Sequence, residues 1–393
     1  MPLRTILFLV LLFAPHVAGR IAAQSRPDAC ESAAHPVTET GEIFQLGAVV
    51  HPNSGYFRIS QQDARYLRAR IEVKGVANCD WYLTVRDEKL RPIQTLSPED
   101  FAKSTSRWTS RIPGSTASFD LQGCPTVSEE PKMLLQEYIL MPKNVQRTYY
   151  SAQDPGNPMF KDLYDQSISL RGYGDFVGFM MSSWERESWT CSGVMVAPDL
   201  FLTNWHCGAP RASFPVEGYW NEQIVKDTMI DISWDGDELS REYYGLRLAA
   251  ADSDLDFALV EVAPLNWSGR ARPVTITRRT PQTNDPIVII HHPAARTKQV
   301  SLDCTILSTS LKSWRGGIDG IDFGHRCDTE AGSSGAPVLN RDGQLIGLHH
   351  RGFDVDSKTC AQTDRINKAV RIDKILDFLS VNHPDLLRKL SIK

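Results

Sequence analysis

Short apolar runs, each bounded by glycine, proline or aspartate, recur through residues 161–393 of the chain. The clearest are residues 193–197, 257–262, 287–290 and 345–348. Runs this short are typical of strands, and no helical segments alternate with them as in a parallel α/β sheet. We therefore predict an all-β fold for this part of the chain, either a double β-barrel or a sandwich.

The C-terminal end has a different pattern. Apolar residues recur there at helical spacing, at Ile372, Ile375, Leu376 and Leu379. This spacing places the four side chains on one face of a helix. We therefore predict a C-terminal amphipathic helix that packs on the β core.

Residues 24–143 have the pattern of a second, smaller domain. Apolar and polar residues alternate with period two over residues 67–73, and further short strands are predicted at 81–85 and 118–121. We predict a small antiparallel β-sandwich that serves as an accessory domain. Residues 144–160 contain Pro155, Gly156 and Pro158, which disfavour both a helix and a paired strand, so we assign them to a linker.

The first 23 residues have the pattern of a secretory signal peptide. Arg4 supplies a positive charge, residues 6–13 are an unbroken apolar run, and small residues end at Ala23, where signal peptidase can cut. A membrane anchor is the alternative, but a spanning helix needs about 20 apolar residues, and Pro15 and Arg20 interrupt this run. We expect a secreted protein, extracellular or periplasmic, with oxidised cysteines.

Length and charge narrow the choice of partners. The chain has 393 residues, more than one hydrophobic core usually holds, so two domains are expected. Lys and Arg total 43 against 47 for Asp and Glu, a formal net charge of −4, so no bulk positive charge is present to hold phosphate backbones. We expect neither nucleic acid as a partner nor membrane insertion once the signal is removed. The oligomeric state is not indicated.

Three separate segments carry a histidine, an acid and a serine, in that order. They are Thr203-Asn204-Trp205-His206-Cys207, then Leu255-Asp256-Phe257-Ala258-Leu259, then Gly332-Ser333-Ser334-Gly335-Ala336-Pro337. A serine hydroxyl is a poor nucleophile at neutral pH without an adjacent base, and that base needs a carboxylate to hold its tautomer. We predict His206, Asp256 and Ser334 as the catalytic residues. The backbone N–H groups of Gly332 and Ser334 are the predicted oxyanion hole.

Two other acids, Asp252 and Asp254, lie close to Asp256 in the sequence. Asp256 is preferred because the apolar run begins directly after it, which places its carboxylate at the entrance of a strand. Asp256 is therefore the predicted acid, with Asp252 and Asp254 as its alternatives.

These motifs together resemble the chymotrypsin-fold serine proteases. The resemblance rests on the order His206, Asp256, Ser334, on the cysteine-bracketed histidine, on the Asp-Phe-Ala-Leu run and on the Gly-Ser-Ser-Gly-Ala-Pro turn. Within that group, Cys327-Asp328-Thr329, Gly347-Leu348-His349 and Ile290-His291-His292-Pro293 are similar to the bacterial glutamyl and lysyl endopeptidases. The resemblance covers residues 167–375 and implies two β-barrels, with the catalytic residues in the cleft between them. It also implies protein or peptide substrates.

The chain departs from this family at two places. The family commonly has small residues where Asn204 and Trp205 stand. The residue before the predicted nucleophile is Ser333, whereas the trypsin-like branch has an aspartate that pairs with a newly cut amino terminus. Activation through that aspartate is therefore excluded for this chain.

The chain has 8 cysteines, which allow four bridges. The resemblance implies a bridge from Cys191 to Cys207, and Cys304 with Cys327 has the pattern of a second bridge in the same domain. Cys79 and Cys124 lie near two predicted strands of the smaller domain and can bridge there, although sequence alone does not establish the connectivity. Cys30 and Cys360 remain. The lysyl endopeptidases offer a precedent for joining such a pair, which would tie the two domains together.

The sequence gives conflicting indications about the residue that would precede the cleaved bond. Thr329 and His349 match positions with which glutamyl endopeptidases bind a substrate carboxylate, and a hydroxyl with an imidazole suits that task. Asp328 stands where trypsin-like enzymes hold the acid that binds lysine or arginine, while Asn367 matches the selective acid of the lysyl enzymes. An acidic residue is the preferred prediction and a basic residue the alternative.

The sequence allows two other interpretations. The pairs His291-His292 and His349-His350 invite a metal site, but adjacent residues on a strand point to opposite faces and no acid or cysteine completes a ligand set, so no metal or other cofactor is predicted. The alternative function is a catalytically silent binding or adhesion protein on a protease fold, which would act through its N-terminal domain.

Overall fold

The computed structural model describes residues 38–74, 79–102, 104–123, 132–142, 149–150, 160–185, 187–208, 220–235, 240–265, 269–313, 317–352 and 366–393. The predicted signal peptide lies outside these residues. The described chain is mostly strands, which join into two barrels and an N-terminal β region. The all-β fold predicted from the short apolar runs is confirmed.

Nine strands form the N-terminal region: β1 Thr38–Val50, β2 Phe57–Ser60, β3 Ala64–Lys74, β4 Trp81–Arg86, β5 Pro92–Leu96, β6 Ser106–Trp108, β7 Ile112–Pro113, β8 Thr116–Gly123 and β9 Lys132–Pro142. One antiparallel sheet has the order β2-β8-β4-β5, and β1, β9, β3 and β6 form a second one, to which β7 is added. A cluster of buried side chains that includes Leu67, Ile71, Leu83 and Phe119 packs between strands of both sheets. The alternation seen over residues 67–73 therefore reflects a strand with one face toward this core.

Six strands close the first barrel: β12 Val177–Trp184, β13 Glu187–Ala197, β14 Leu200–Thr203, β15 Met229–Asp231, β16 Glu242–Asp252 and β17 Phe257–Pro264. They pair in the order β12-β15-β16-β17-β14-β13, and β12 pairs again with β13, which completes the ring.

A second ring follows and is built from β18 Pro286–His291, β19 Gln299–Leu311, β20 Asp322–His325, β22 Pro337–Leu339, β23 Leu345–Arg351 and β24 Asn367–Arg371. Pairing runs β19-β18-β22-β23-β24-β20 and closes through β20 with β19, while β11 (Phe160–Asp162) adds to the outside of β19. The predicted double barrel is thus present.

Helices are short, and most lie at the edges of the barrels. They are α1 Ile168–Gly174, α2 Glu222–Lys226, α3 Ile372–Asn382 and α4 Pro384–Lys389, with 3₁₀ turns at Pro98–Phe101, Trp205–Gly208 and Pro293–Ala295. In α3, Ile372, Ile375, Leu376 and Leu379 are all buried. The predicted C-terminal amphipathic helix is confirmed, and it packs against β23 and β24.

The N-terminal region is continuous with the first barrel. Strand β1 pairs antiparallel with β13 at one end, from Thr38 opposite Thr190 to Glu42 opposite Glu187, and then with β9 at the other end. Buried ion pairs reinforce this junction: Arg68 on β3 contacts Glu242 on β16, and Arg111 pairs with Asp231 on β15 over 3.0 Å. The two parts of the chain therefore share backbone hydrogen bonds as well as side-chain contacts.

The expectation that residues 144–160 hold no paired strand is wrong in two places: Phe160 begins β11 and pairs with Ser301 on β19, and β10 lies within the segment. Strand β10, Tyr149–Tyr150, pairs antiparallel with β21, Thr329–Glu330. The prolines of the segment, Pro155 and Pro158, come after β10, so its backbone N–H groups remain able to donate. The linker consequently contacts the strand that leads to the predicted nucleophile.

Candidate active site

His206 sits in a 3₁₀ turn, Trp205–Gly208, directly after β14. The next residue, Cys207, is bonded to Cys191 on β13, and the Trp189 indole N–H donates to the Cys207 carbonyl over 2.8 Å. The disulfide and this hydrogen bond hold the histidine turn against the barrel wall, where His206 is buried.

Asp256 precedes β17 and is fully buried. Its φ of 47° is in the left-handed region, which aspartate tolerates better than most residues. The side-chain amide of Asn204 donates to the Asp256 carbonyl over 2.9 Å, which holds this backbone conformation. Asn204, one of the two departures noted above, therefore contacts the backbone of the predicted acid.

The carboxylate of Asp256 receives two hydrogen bonds from His206. The backbone N–H donates to Oδ1 over 3.0 Å, and ring Nδ1 lies 2.8 Å from Oδ2. Because a carboxylate only accepts, Nδ1 carries a proton and donates to Oδ2. Burial would raise the pKa of the Asp256 carboxyl, but His206 and His350 outweigh it and hold that pKa well below 3.8.

Ser334 lies in a turn between β21 and β22, at the face where the second barrel meets the first. The backbone N–H of Ser192 on β13 donates to the Ser334 carbonyl over 2.7 Å, and Ser192 Oγ donates to the Gly332 carbonyl over 2.9 Å. Ser192 follows Cys191, whose disulfide holds the histidine turn. The serine turn and the histidine turn are thus fastened to the same strand.

Glycine is required on both sides of Ser334. Gly332 and Gly335 have φ of 93° and 85°, conformations that L side chains rarely adopt. A Cβ on Gly335 would lie 2.1 Å from the Ser192 carbonyl oxygen and 2.4 Å from Thr203 Oγ1. The turn can therefore approach β13 only because this position lacks a side chain.

Ser333 takes the place that an aspartate holds in the trypsin-like branch. Its Oγ accepts from the Glu330 N–H over 3.0 Å and lies 2.7 Å from His291 Nδ1. Burial, together with the charge of Arg296, lowers the pKa of His291 to about 3, so the ring is neutral and Nδ1 can accept from Ser333. A chain of hydrogen bonds between neutral side chains thus supports the turn that carries Ser334.

Three side chains predicted to line a specificity pocket are buried: Asp328 directly before β21, Thr329 at the start of β21, and His349 on β23 of the second barrel. The amide of Asn367 donates to Thr329 Oγ1 over 3.2 Å and to the Cys327 carbonyl over 2.6 Å. Glu330, the acid next to Thr329, is paired with Arg296 over 2.9 Å, so its charge is neutralised.

His349 contacts a second histidine that the sequence did not single out. His325 Nδ1 accepts from the Cys327 N–H over 3.2 Å, so its proton is on Nε2, which lies 3.2 Å from His349 Nδ1. The proton of His349 is then on Nε2. Burial is the main cause that lowers the pKa of both rings, so both are neutral, and His349 offers an N–H donor.

His350 is a further histidine that was not predicted as a site residue. It contacts Asp256 from the side opposite to the predicted specificity pocket. Its Nδ1 lies 3.2 Å from Asp256 Oδ2 and its Nε2 lies 3.0 Å from Asp322 Oδ2. The sequence did contain a signal, because His350 follows His349 on a strand and must face away from it. Its carboxylate partners could not be inferred, since they lie 94 and 28 residues away along the chain.

Among the described cysteines, Cys304 is bonded to Cys327, and Cys79 is also disulfide-bonded. Cys124, Cys30 and Cys360 lie outside the described residues, so the two other bridges stay predictions. The described residues include one cluster with metal-ligand spacing, Cys191, His206 and Cys207, but its two thiols form the disulfide. Within the same residues, no helix is long and apolar enough to cross a membrane.

Comparison with known proteins matches residues 191–348 to the family model of the trypsin-like peptidase domain. A secreted RxLR effector protein of Plasmopara viticola is 27% identical over 178 residues, which is 42% of each chain, so this chain spans less than half of that relative. A glutamyl endopeptidase of Staphylococcus epidermidis is 24% identical over 56% of this chain and 71% of its own. Among solved structures, the Rv3671c protease of M. tuberculosis is 15% identical over 61% of this chain and 92% of its own, with a TM-score of 0.41.

Proposed function

Because the chain carries a trypsin-like peptidase domain on a chymotrypsin-type double barrel, we propose that it is a secreted serine endopeptidase that cuts after acidic residues. One observation carries the proposal. A buried, ionised Asp256 orients His206 through Nδ1, in the cleft where Ser334 sits between two glycines of positive φ. Serine acyl transfer requires a histidine base held by a carboxylate, as His206 is here, and a serine within reach of its Nε2, the role that the proposal assigns to Ser334.

The proposed reaction has two halves. Ser334 Oγ attacks the carbonyl carbon of the scissile bond while His206 Nε2 takes the hydroxyl proton, and the N–H groups of Gly332 and Ser334 receive the oxyanion. The carbon–nitrogen bond breaks as His206 returns that proton to the leaving amine, which leaves an acyl group on Ser334. Water, deprotonated by His206, then attacks the ester, and the proton passes back to Ser334 as the acid product leaves.

Asp256 stays ionised throughout and stabilises the imidazolium that forms on His206. The strength of this effect depends on its burial, since a charge pair in a water-excluded site interacts more strongly than one in solvent. The low pKa of Asp256 is consistent with this role, because the carboxylate does not compete for the proton.

The acidic preference rests on the donors gathered near Thr329 and His349. His325 orients His349 so that Nε2–H is a donor, and Asn367 occupies an acceptor position of the Thr329 hydroxyl, which leaves its hydrogen to donate. Arg296 neutralises Glu330, so this acid does not repel a substrate carboxylate. The similarity to a glutamyl endopeptidase supports the same preference.

The alternative, cleavage after lysine or arginine, rests on Asp328. Its backbone carbonyl accepts from Ser301 Oγ, and the residue is buried. A pocket that binds a cation through this acid would not use the donors of Thr329 and His349. The acidic preference therefore accounts for more of the described contacts.

The test is digestion of a denatured protein by the purified mature chain, followed by sequencing of the cut sites. Ser334→Ala should reduce the rate by about 10⁶-fold, whereas Ser380→Ala, at an exposed helical serine, should leave it unchanged. Cuts mainly after Lys or Arg would replace the acidic proposal with the basic one. If an organophosphonate probe failed to label the folded wild type, the silent binding protein would become the better explanation.

A further inference from the structure

His350 lies between two buried carboxylates. Ring Nδ1 is 3.2 Å from Asp256 Oδ2 and ring Nε2 is 3.0 Å from Asp322 Oδ2, and all three side chains are almost completely buried. Carboxylate oxygens only accept hydrogen bonds, so each ring nitrogen facing an ionised carboxylate must carry a proton. Two ionised carboxylates on opposite sides of one ring therefore require an imidazolium.

We infer that His350 is a positioning residue that, as an imidazolium balanced by Asp322, holds Asp256 ionised and oriented toward His206. This inference rests on the proposed serine endopeptidase. It extends the predicted set of three residues by two, neither of which touches the substrate. Both belong to the second barrel, on β23 and β20, whereas Asp256 belongs to the first.

The charges explain why His350 requires Asp322 as its counter-ion. Asp256 attracts the proton that His206 gains in the transition state, and a cation beside Asp256 would weaken that attraction if nothing balanced it. Asp322 supplies the balancing negative charge. With both present, Asp256, His350 and Asp322 carry a net charge of about −1, the same as Asp256 alone, while Asp256 gains a strong hydrogen-bond donor.

The surroundings of His350 are consistent with a charged ring. Burial disfavours the charge, but Asp322 and Asp256 outweigh it and raise the pKa of His350 to about 9. The other titratable groups that act on this region are His206, across Asp256, and His325 and His349 on the pocket side. All three carry no negative charge, so none replaces Asp322 as the counter-ion.

The test compares His350→Gln, Asp322→Asn and the double variant in kcat/KM against pH. Each single variant should lose about tenfold or more in kcat. His350→Gln leaves the Asp322 carboxylate facing an amide oxygen, and Asp322→Asn leaves the His350 imidazolium without its balancing charge. The double variant should recover most of this loss, since the new glutamine amide can donate to Asp256 and its oxygen can accept from the new asparagine amide. KM should change little in all three.

The pH profile separates positioning from packing. In the wild type, loss of the His350 proton should reduce kcat/KM above about pH 9, and this limb should be absent in the double variant. If a double variant that the organophosphonate still labels kept the limb, or were no faster than the slower single variant, the inference would be overturned.

A direct measurement on the wild type covers the case in which the variants do not fold. ¹⁵N NMR of the histidine rings should show both nitrogens of His350 protonated at about pH 7. One unprotonated nitrogen would overturn the inference whatever the kinetics show. Absence of protease activity in the wild type is a separate result, since it refutes the proposed function while the NMR measurement still reports on the ring.

Discussion

The Asn204 side-chain amide donates to the backbone carbonyl of Asp256 over 2.9 Å, and Asp256 has a φ of 47°. The acid therefore reaches His206 from a backbone conformation that one neighbouring side chain stabilises.

We expect Asn204→Ala to lower kcat about tenfold with little change in KM, because Asp256 loses its orientation while the substrate pocket is untouched. Steady-state kinetics measures this, with Asn382→Ala, on an exposed helix end, as the matched control. Equal effects from the two variants would contradict it.

Replacement of Gly335 by alanine tests the close approach of the serine turn to β13. The new Cβ would lie 2.1 Å from the Ser192 carbonyl oxygen, so we expect loss of organophosphonate labelling. Gly55→Ala is the control, because Gly55 has a nearly equal φ of 87° but nothing within 4 Å. The control should cost about 1–2 kcal/mol of stability and keep full labelling. Normal labelling of Gly335→Ala would show that the turn can move away.

The Arg68–Glu242 pair tests the junction between the N-terminal region and the first barrel. Both side chains are buried, so Arg68→Met leaves the Glu242 charge without this partner and should lower the free energy of unfolding by about 3–5 kcal/mol. Arg388→Ala, which breaks an exposed pair with Asp385, should cost about 0.5 kcal/mol at most. Urea unfolding measures the free energy of unfolding of both variants. Similar losses in the two would contradict a stabilising role for the buried pair at the junction.

Thr329→Val tests the acidic preference. Valine keeps the shape of the side chain but removes the hydroxyl, so cleavage after Glu should slow about tenfold. Labelling by a small organophosphonate should be unchanged, since that reaction does not use the pocket. Thr280→Val, at an exposed threonine, is the control. Cleavage after Glu at the wild-type rate would remove Thr329 from the proposed pocket.

Buried neutral histidines make stability depend on pH. Burial lowers the pKa of His325 to about 3, below the ordinary value of 6.5, so the unfolded chain binds a proton that the folded chain does not. Stability is therefore complete above about pH 6.5 and should fall by about 1.4 kcal/mol per pH unit and per histidine as the pH drops toward 3. His325→Asn should reduce this slope by that amount between about pH 6 and 4 in urea unfolding. An unchanged slope would mean that His325 is not neutral in the fold.

The fold class and a candidate set of catalytic residues could be predicted from the sequence. Period-two alternation and short apolar runs indicate strands because a strand exposes its two faces alternately to core and solvent, and the helical spacing from Ile372 to Leu379 identifies α3 for a similar reason. His206, Asp256 and Ser334 could be proposed because each stands next to a strand signal or a glycine turn that is local in the chain.

Which residues meet across the barrels depends on the tertiary structure. The pairing of β1 with β13, the contact of Arg68 with Glu242, and the meeting of His350 with Asp256 and Asp322 all join segments far apart in sequence. Local periodicity states which face of a strand a residue occupies, but strand order, register and barrel closure decide what stands opposite it. The sequence predicts that His350 faces away from His349. Its two carboxylate partners can be identified only from the tertiary structure, because closure of the two barrels brings them to the ring.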